Sequence, residues 1–255
     1  MKSKKTSQPK ATPSKMGCDF MAIGAHADDI EIGIGGTVAR LVALGHSGVI
    51  VDMTDASAGT RGTPEQRLRE AAQAAKTLGV ARENLGLPDG RLTDTIAAQD
   101  ALIRLLRKWR PKILLTHHFS EEHPDHEATA HIVKAAQFRA GLSKLPIPGE
   151  AWRPKRLFHW IGMELHEPDF AVDVSEYWKT KLAAIACFHS QVLGPASKNF
   201  QGKTDLSTPA FLDAIEVRGR FFGARIKRRY GEAFVCTELP EVNDLTSLGL
   251  ERFPH

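Results

Sequence analysis

Short apolar runs alternate with stretches of helical spacing through the first half of this chain. Cys18-Asp19-Phe20-Met21-Ala22-Ile23-Gly24 is apolar and closed by glycine, which predicts a strand of a buried parallel sheet. Residues 36–44 carry helical spacing, and Gly48-Val49-Ile50-Val51-Asp52-Met53-Thr54 predicts a second strand. A polar, glycine-rich loop from Ala56 to Pro64 precedes a helix expected over Glu65 to Leu78, which Gly79 stops. A further helix is expected over 97–109, a third strand over 111–116 that ends against His117 and His118, and a helix running to about residue 140. Beyond Pro-rich connections at 146–154 the pattern loosens. It still predicts strands at 156–162 and 170–174, helices at 176–189 and 209–228, and a last strand from Ala233 to Thr237. Strands and helices in alternation predict an α/β fold, Rossmann-like and doubly wound on a mostly parallel sheet. In such sheets ligands bind beyond the carboxyl ends of the strands.

Composition adds bounds to this picture. At 255 residues, 42% hydrophobic and 25% charged, the chain is expected to form one globular domain over residues 17–240. The net charge of +4 owes much to the first residues, which carry lysines and no acid. Residues 1–16 hold too little apolar surface to offset the entropy of ordering, so a disordered basic tail is expected there, and a short C-terminal tail over 241–255. The run Arg225-Ile226-Lys227-Arg228-Arg229 reads as a solvated helix face, so no nucleic-acid partner is expected. No apolar run approaches the roughly 20 residues that a membrane span needs. Three cysteines, Cys18, Cys187 and Cys236, are too few and too scattered for a disulfide framework, which suits a reducing cytoplasm.

Candidate chemistry gathers in two clusters at predicted strand ends. In Ala25-His26-Ala27-Asp28-Asp29, His26 and Asp29 lie three positions apart on a tight turn and can face one point, while Asp28 faces another side. Imidazole nitrogen and carboxylate oxygen suit Zn²⁺, whose catalytic sites keep three protein ligands and an open position; Fe²⁺, Mn²⁺ and Co²⁺ accept the same donors. The competing reading is that Asp28 and Asp29 cap the next helix. In His123-Pro124-Asp125-His126, the proline sets two histidines across a turn, one to ligate a metal and the other to face a substrate carbonyl. Asp125 can orient an imidazole or cap the helix. His117, His118 and His131 read as packing or surface histidines, and Gly33-Ile34-Gly35-Gly36 as a place of close helix and sheet packing, since dinucleotide-binding glycines would follow the first strand directly.

These two clusters resemble the zinc-dependent N-acetylglucosaminyl deacetylases of the LmbE/PIG-L family. The same holds for Gly36-Thr37, Gly59-Thr60-Arg61-Gly62-Thr63, Leu85-Gly86-Leu87-Pro88-Asp89-Gly90-Arg91, His189-Ser190-Gln191 and Arg229-Tyr230-Gly231-Glu232. The resemblance covers about residues 18–236 and runs nearest to the bacillithiol-biosynthesis branch, which hydrolyses the acetamide of N-acetylglucosaminyl malate. It implies that His26, Asp29 and His126 hold zinc and that Asp28 is the general base. It further implies that His123, steadied by Asp125, serves the oxyanion and the leaving amine, and that Arg61, Asp89 and His189 contact substrate. A homo-oligomer, trimer or hexamer, goes with the family. One departure stands in the first motif, where Ala27 occupies the family's usual proline, so a less preorganised turn is expected. Two other readings keep the same fold. One is deacetylation of another N-acylated sugar, a chitooligosaccharide or an antibiotic precursor; the other is a metal-binding protein without turnover, against which the presence of Asp28 and His123 argues.

Overall fold

Side chains of β1 (Phe20–Gly24) are buried at every position and alternate between two cores, Phe20 and Ala22 on one face and Met21 and Ile23 on the other. A strand buried on both sides must carry helices on both sides, and the computed structural model, which describes residues 17–164, 166–192 and 201–244, shows that arrangement. Chain order gives α1 (Asp29–Ala43), β2 (Gly48–Thr54), α2 (Pro64–Leu78), β3 (Ala81–Leu87), α3 (Ile96–Trp109), β4 (Ile113–His117) and α4 (Pro124–Ala140). There follow β5 (Arg156–Trp160), β6 (Phe170–Asp173), α5 (Trp178–Ile185), α6 (Pro209–Arg225) and β7 (Gly231–Cys236). The seven strands lie in the order β3-β2-β1-β4-β5-β7-β6. They are parallel except where β7 runs antiparallel to β5 and β6. Ile30, Ile34 and Val38 of α1 cover one face, and Leu102, Leu106, Ile132 and Val133 of α3 and α4 cover the other. From β1 the chain winds outward to β2 and β3 on one side and through β4 and β5 on the other, so the topological switch point lies between the adjacent ends of β1 and β4.

The expected doubly wound sheet is therefore present, with corrections. The first helix starts at Asp29 rather than near residue 36, so it takes in the glycines. An additional strand, β3, occupies 81–87, where no strand was expected; its Arg82 carries the charge of a sheet edge and binds the buried Asp52 and Glu31 at 2.7 Å each. The helix expected over 176–189 is shorter, 178–185, after a single tight turn. The expected tail over 1–16 lies outside the described residues, as does most of 241–255. Among the described residues no helix is long and apolar enough to cross a membrane.

Close packing explains the glycine-rich stretch. A Cβ on Gly33 would come within 2.8 Å of the Trp160 indole nitrogen, and one on Gly36 within 2.7 Å of Val174. Ile34 breaks the helical dihedrals there, and the Glu232 carboxylate accepts the N–H groups of Gly36 and Thr37 at 3.1 and 2.6 Å. Lys181 balances that buried charge at 2.5 Å. These contacts pack the first helix closely against Trp160, Val174 and the Glu232 carboxylate.

Gly223 in α6 supplies a sharp test of this packing. Alanine for glycine usually stabilises a helix interior by about 0.5–1 kcal/mol. Here the new methyl would meet backbone atoms of Arg228, Arg229 and Tyr230 at 2.7–2.8 Å, so Gly223→Ala should instead destabilise by about 1–3 kcal/mol, measured by denaturant unfolding.

Candidate active site

Residues 25–29 turn from β1 into α1, and His117 closes β4 next door. The two chemical clusters thus meet beyond the carboxyl ends of neighbouring parallel strands, at the switch point. Asp29 is the hub. Its Oδ2 accepts the His26 N–H at 2.7 Å and lies 3.5 Å from His26 Nδ1; its Oδ1 lies 3.3 Å from His126 Nε2. His26 and His126 therefore each approach Asp29, on different oxygens of its carboxylate.

His117 joins them unannounced. It is buried, stacks on His126 with ring centroids 3.9 Å apart, and its Nε2 lies 3.0 Å from Asp29 Oδ2 and 3.1 Å from the Ala25 backbone nitrogen. Burial, helped by the His126 charge, lowers the His117 pKa to about 4, so this imidazole is neutral near pH 7. The reading of His117 as a mere packing residue is corrected: it buttresses Asp29.

Capping does not explain Asp28. It precedes α1 but makes no side-chain cap bond, and its φ of 154° with ψ of −20° is a strained conformation for a residue with a Cβ. Its buried carboxylate lies 3.2 Å from Arg67 of α2, whose Nη2 also donates to the Ala27 carbonyl at 2.9 Å. Burial pushes the Asp28 carboxyl above the usual range, Arg67 pulls it down, and Asp29 adds to the rise. Arg67 was not singled out from the sequence. Its bond to the Ala27 carbonyl, with Ala27 packed against Ala71, Ala74 and Phe188, holds the turn between His26 and Asp28.

The second cluster opens α4. His123 is exposed, and its Nδ1 accepts the Asp125 backbone N–H at 3.1 Å; in the neutral ring this leaves Nε2–H as the donor. The Asp125 carboxylate does not steady His123 as expected. It accepts the N–H groups of Gly90 and Leu92 at 2.8 and 3.1 Å and lies 3.4 Å from His26 Nε2. Asp89 also belongs to the centre, with Oδ1 3.0 Å from His26 Nε2. Arg61 is buried, its carbonyl accepting from Gln191 at 2.7 Å. His189 is exposed, and among the described residues no hydrogen bond or ion pair joins it to the cluster.

The donor chemistry fits a divalent metal. Donor atoms of His26, His123 and His126 lie within 4.8 Å of one another, as do those of Asp29, His117 and His126. Burial disfavours a charged His126, yet Asp29 overrides it and raises its pKa to about 9; His26 is raised likewise against its burial. The site's field thus favours cations, and a divalent ion would take the place of those protons.

Known proteins resemble this chain in sequence and in fold. The PIG-L family model, described as GlcNAc-PI de-N-acetylase, matches residues 21–137. The diacetylchitobiose deacetylase of Thermococcus kodakarensis is 30% identical over 185 residues, covering 67% of this chain and 69% of its own length. A 1D-myo-inositol 2-acetamido-2-deoxy-alpha-D-glucopyranoside deacetylase of Saccharopolyspora erythraea is 28% identical over 229 residues, covering 68% of this chain and 83% of its own. The crystal structure of the conserved protein TT1542 from Thermus thermophilus superposes with a TM-score of 0.80 at 34% identity, covering 89% of this chain and 98% of that one. The chain belongs to the PIG-L family and is an N-acetyl-sugar deacetylase.

Proposed function

We propose that this chain hydrolyses the acetamide of a small N-acetylglucosamine conjugate at a divalent metal centre, releasing acetate and the free amine. The observation that carries this reading is Asp29 held between His26 and His126, with the strained, buried Asp28 as its neighbour. His26, Asp29 and His126 are the residues that would hold zinc; Fe²⁺, Mn²⁺ and Co²⁺ suit the same donors. When bound, the ion supplies Lewis-acid polarisation of the acetyl carbonyl and acidifies water.

The remaining work falls to the chain's own groups. Asp28 removes a proton from the attacking water, with Arg67 fixing the direction of its carboxylate at 3.2 Å. His123 presents Nε2–H to the oxygen on which negative charge develops, the Asp125 backbone N–H setting that tautomer, and the proton that Asp28 took from water passes to the departing amine beside it. Arg61, and His189 in the turn after α5, are assigned to the sugar or its aglycone.

Two aglycones have support. The flanking motifs resemble the branch acting on N-acetylglucosaminyl malate, and the relative from Thermococcus kodakarensis is named for diacetylchitobiose. Acetate release from these two and from free N-acetylglucosamine separates the cases. Preference for the malate conjugate assigns the thiol pathway; preference for the disaccharide assigns chitooligosaccharides; turnover of none of them contradicts the proposal. Chelation should abolish turnover, and added zinc should restore it.

A further inference from the structure

Helix α2 holds two parts of the site at once. Arg67 and Glu70 lie one turn apart on its buried face. Arg67 reaches the turn before α1, at the Ala27 carbonyl and Asp28. Glu70 reaches the turn after α5: one of its carboxylate oxygens accepts the Ser190 N–H at 2.9 Å, and the other accepts the Ser190 hydroxyl at 2.6 Å. Ser190 passes the grip on. Gln191 Nε2 donates to the Ser190 hydroxyl oxygen at 2.8 Å and to the Arg61 carbonyl at 2.7 Å, and Gly62 comes so close that a Cβ there would lie 2.8 Å from Ser190 Oγ. Loop 59–63 and the turn 188–191 are therefore tied together, and Glu70 ties both to α2.

Phe188 and Ser190 are fully buried, Phe188 against Ala27 of the catalytic turn, while His189 between them is exposed. An exposed side chain held between two anchored neighbours loses little freedom when it meets a ligand. We infer that Glu70 is a positioning residue for substrate: by clamping Ser190 it fixes His189 and, through Gln191, the loop that carries Arg61. This rests on the assignment of Arg61 and His189 to the sugar or its aglycone, and adds the buried group that preorganises them. Two neighbouring residues of α2 thus divide the work, Arg67 acting on Asp28 and Glu70 on binding.

The test uses the full, zinc-loaded chain with N-acetylglucosaminyl malate and diacetylchitobiose. In Glu70→Gln a single acceptor oxygen faces the two Ser190 donors. KM should rise about 10-fold on whichever conjugate the wild type hydrolyses, with kcat within about twofold. In a double-mutant cycle with His189→Ala the two KM effects should be strongly non-additive, because both act on one contact. A merely structural carboxylate would lower the thermal midpoint and leave KM unchanged; that result, or fully additive KM effects, overturns the inference. Ser190→Ala removes only the hydroxyl and should raise KM in the same direction, which keeps the test available if Glu70→Gln does not fold. Amide hydrogen exchange gives a readout free of activity: Ser190 and residues 59–63 should exchange faster in Glu70→Gln, and unchanged exchange overturns the clamp. A wild type that hydrolyses neither conjugate would instead contradict the substrate reading, and exchange would still decide the clamp.

Discussion

Asp28→Asn should lower kcat about 100- to 10,000-fold while the protein keeps its metal. The amide has the shape of the carboxylate and still offers an oxygen to Arg67, so the turn and the strained backbone at φ 154° should persist. What disappears is the only function assigned to Asp28 alone, acceptance of the water proton. KM should change little, because the carboxylate, 4% exposed, is assigned to the water and not to the sugar. Kinetics of acetate release beside elemental analysis of the same sample check both halves. Near-normal turnover would remove Asp28 from the chemistry and leave its strain without a purpose.

Asp29→Ala is expected to have the larger effect on the centre itself. That carboxylate faces His26, His117 and His126 and accepts the His26 backbone N–H, so its loss leaves three imidazoles converging on no anion. Burial pushes its own pKa up, but the imidazoles of His126, His117 and His26 outweigh this and hold it well below the usual carboxylate range. The variant should lose stoichiometric zinc and all measurable turnover while its far-ultraviolet circular dichroism stays that of the folded chain. Tight zinc retained in Asp29→Ala would instead move the centre to His26, His123 and His126, whose donor atoms also lie within 4.8 Å of one another.

How far these sites were legible depended on the physical signal each residue leaves in sequence. β2 was readable to its ends because a two-sided buried strand must be a continuous apolar run. β3 was not, since an edge strand needs no such run: Ala81-Arg82-Glu83-Asn84 is polar because Arg82 reaches across to Asp52 and Glu31. The start of α1 was hidden by Gly33, Gly35 and Gly36, which weaken helical spacing but are needed where the helix presses on Trp160 and Val174. Among the chemical residues, His26, Asp29, His123 and His126 announced themselves by clustering at strand ends. His117 and Arg67 carried no local signature, because their partners Asp29 and Asp28 are distant in sequence. The direction of the Asp125 carboxylate was equally unreadable. Its partners, Gly90 and Leu92, are backbone N–H groups, and backbone donors leave no mark on sequence.

The most direct measurement of the central claim is acetate release from N-acetylglucosaminyl malate and from diacetylchitobiose by one preparation, first stripped of metal and then titrated with zinc. The account predicts no release from the stripped protein, and a rate on at least one of the two substrates that rises until one zinc is bound per chain. Undiminished release from fully metal-free protein would contradict it.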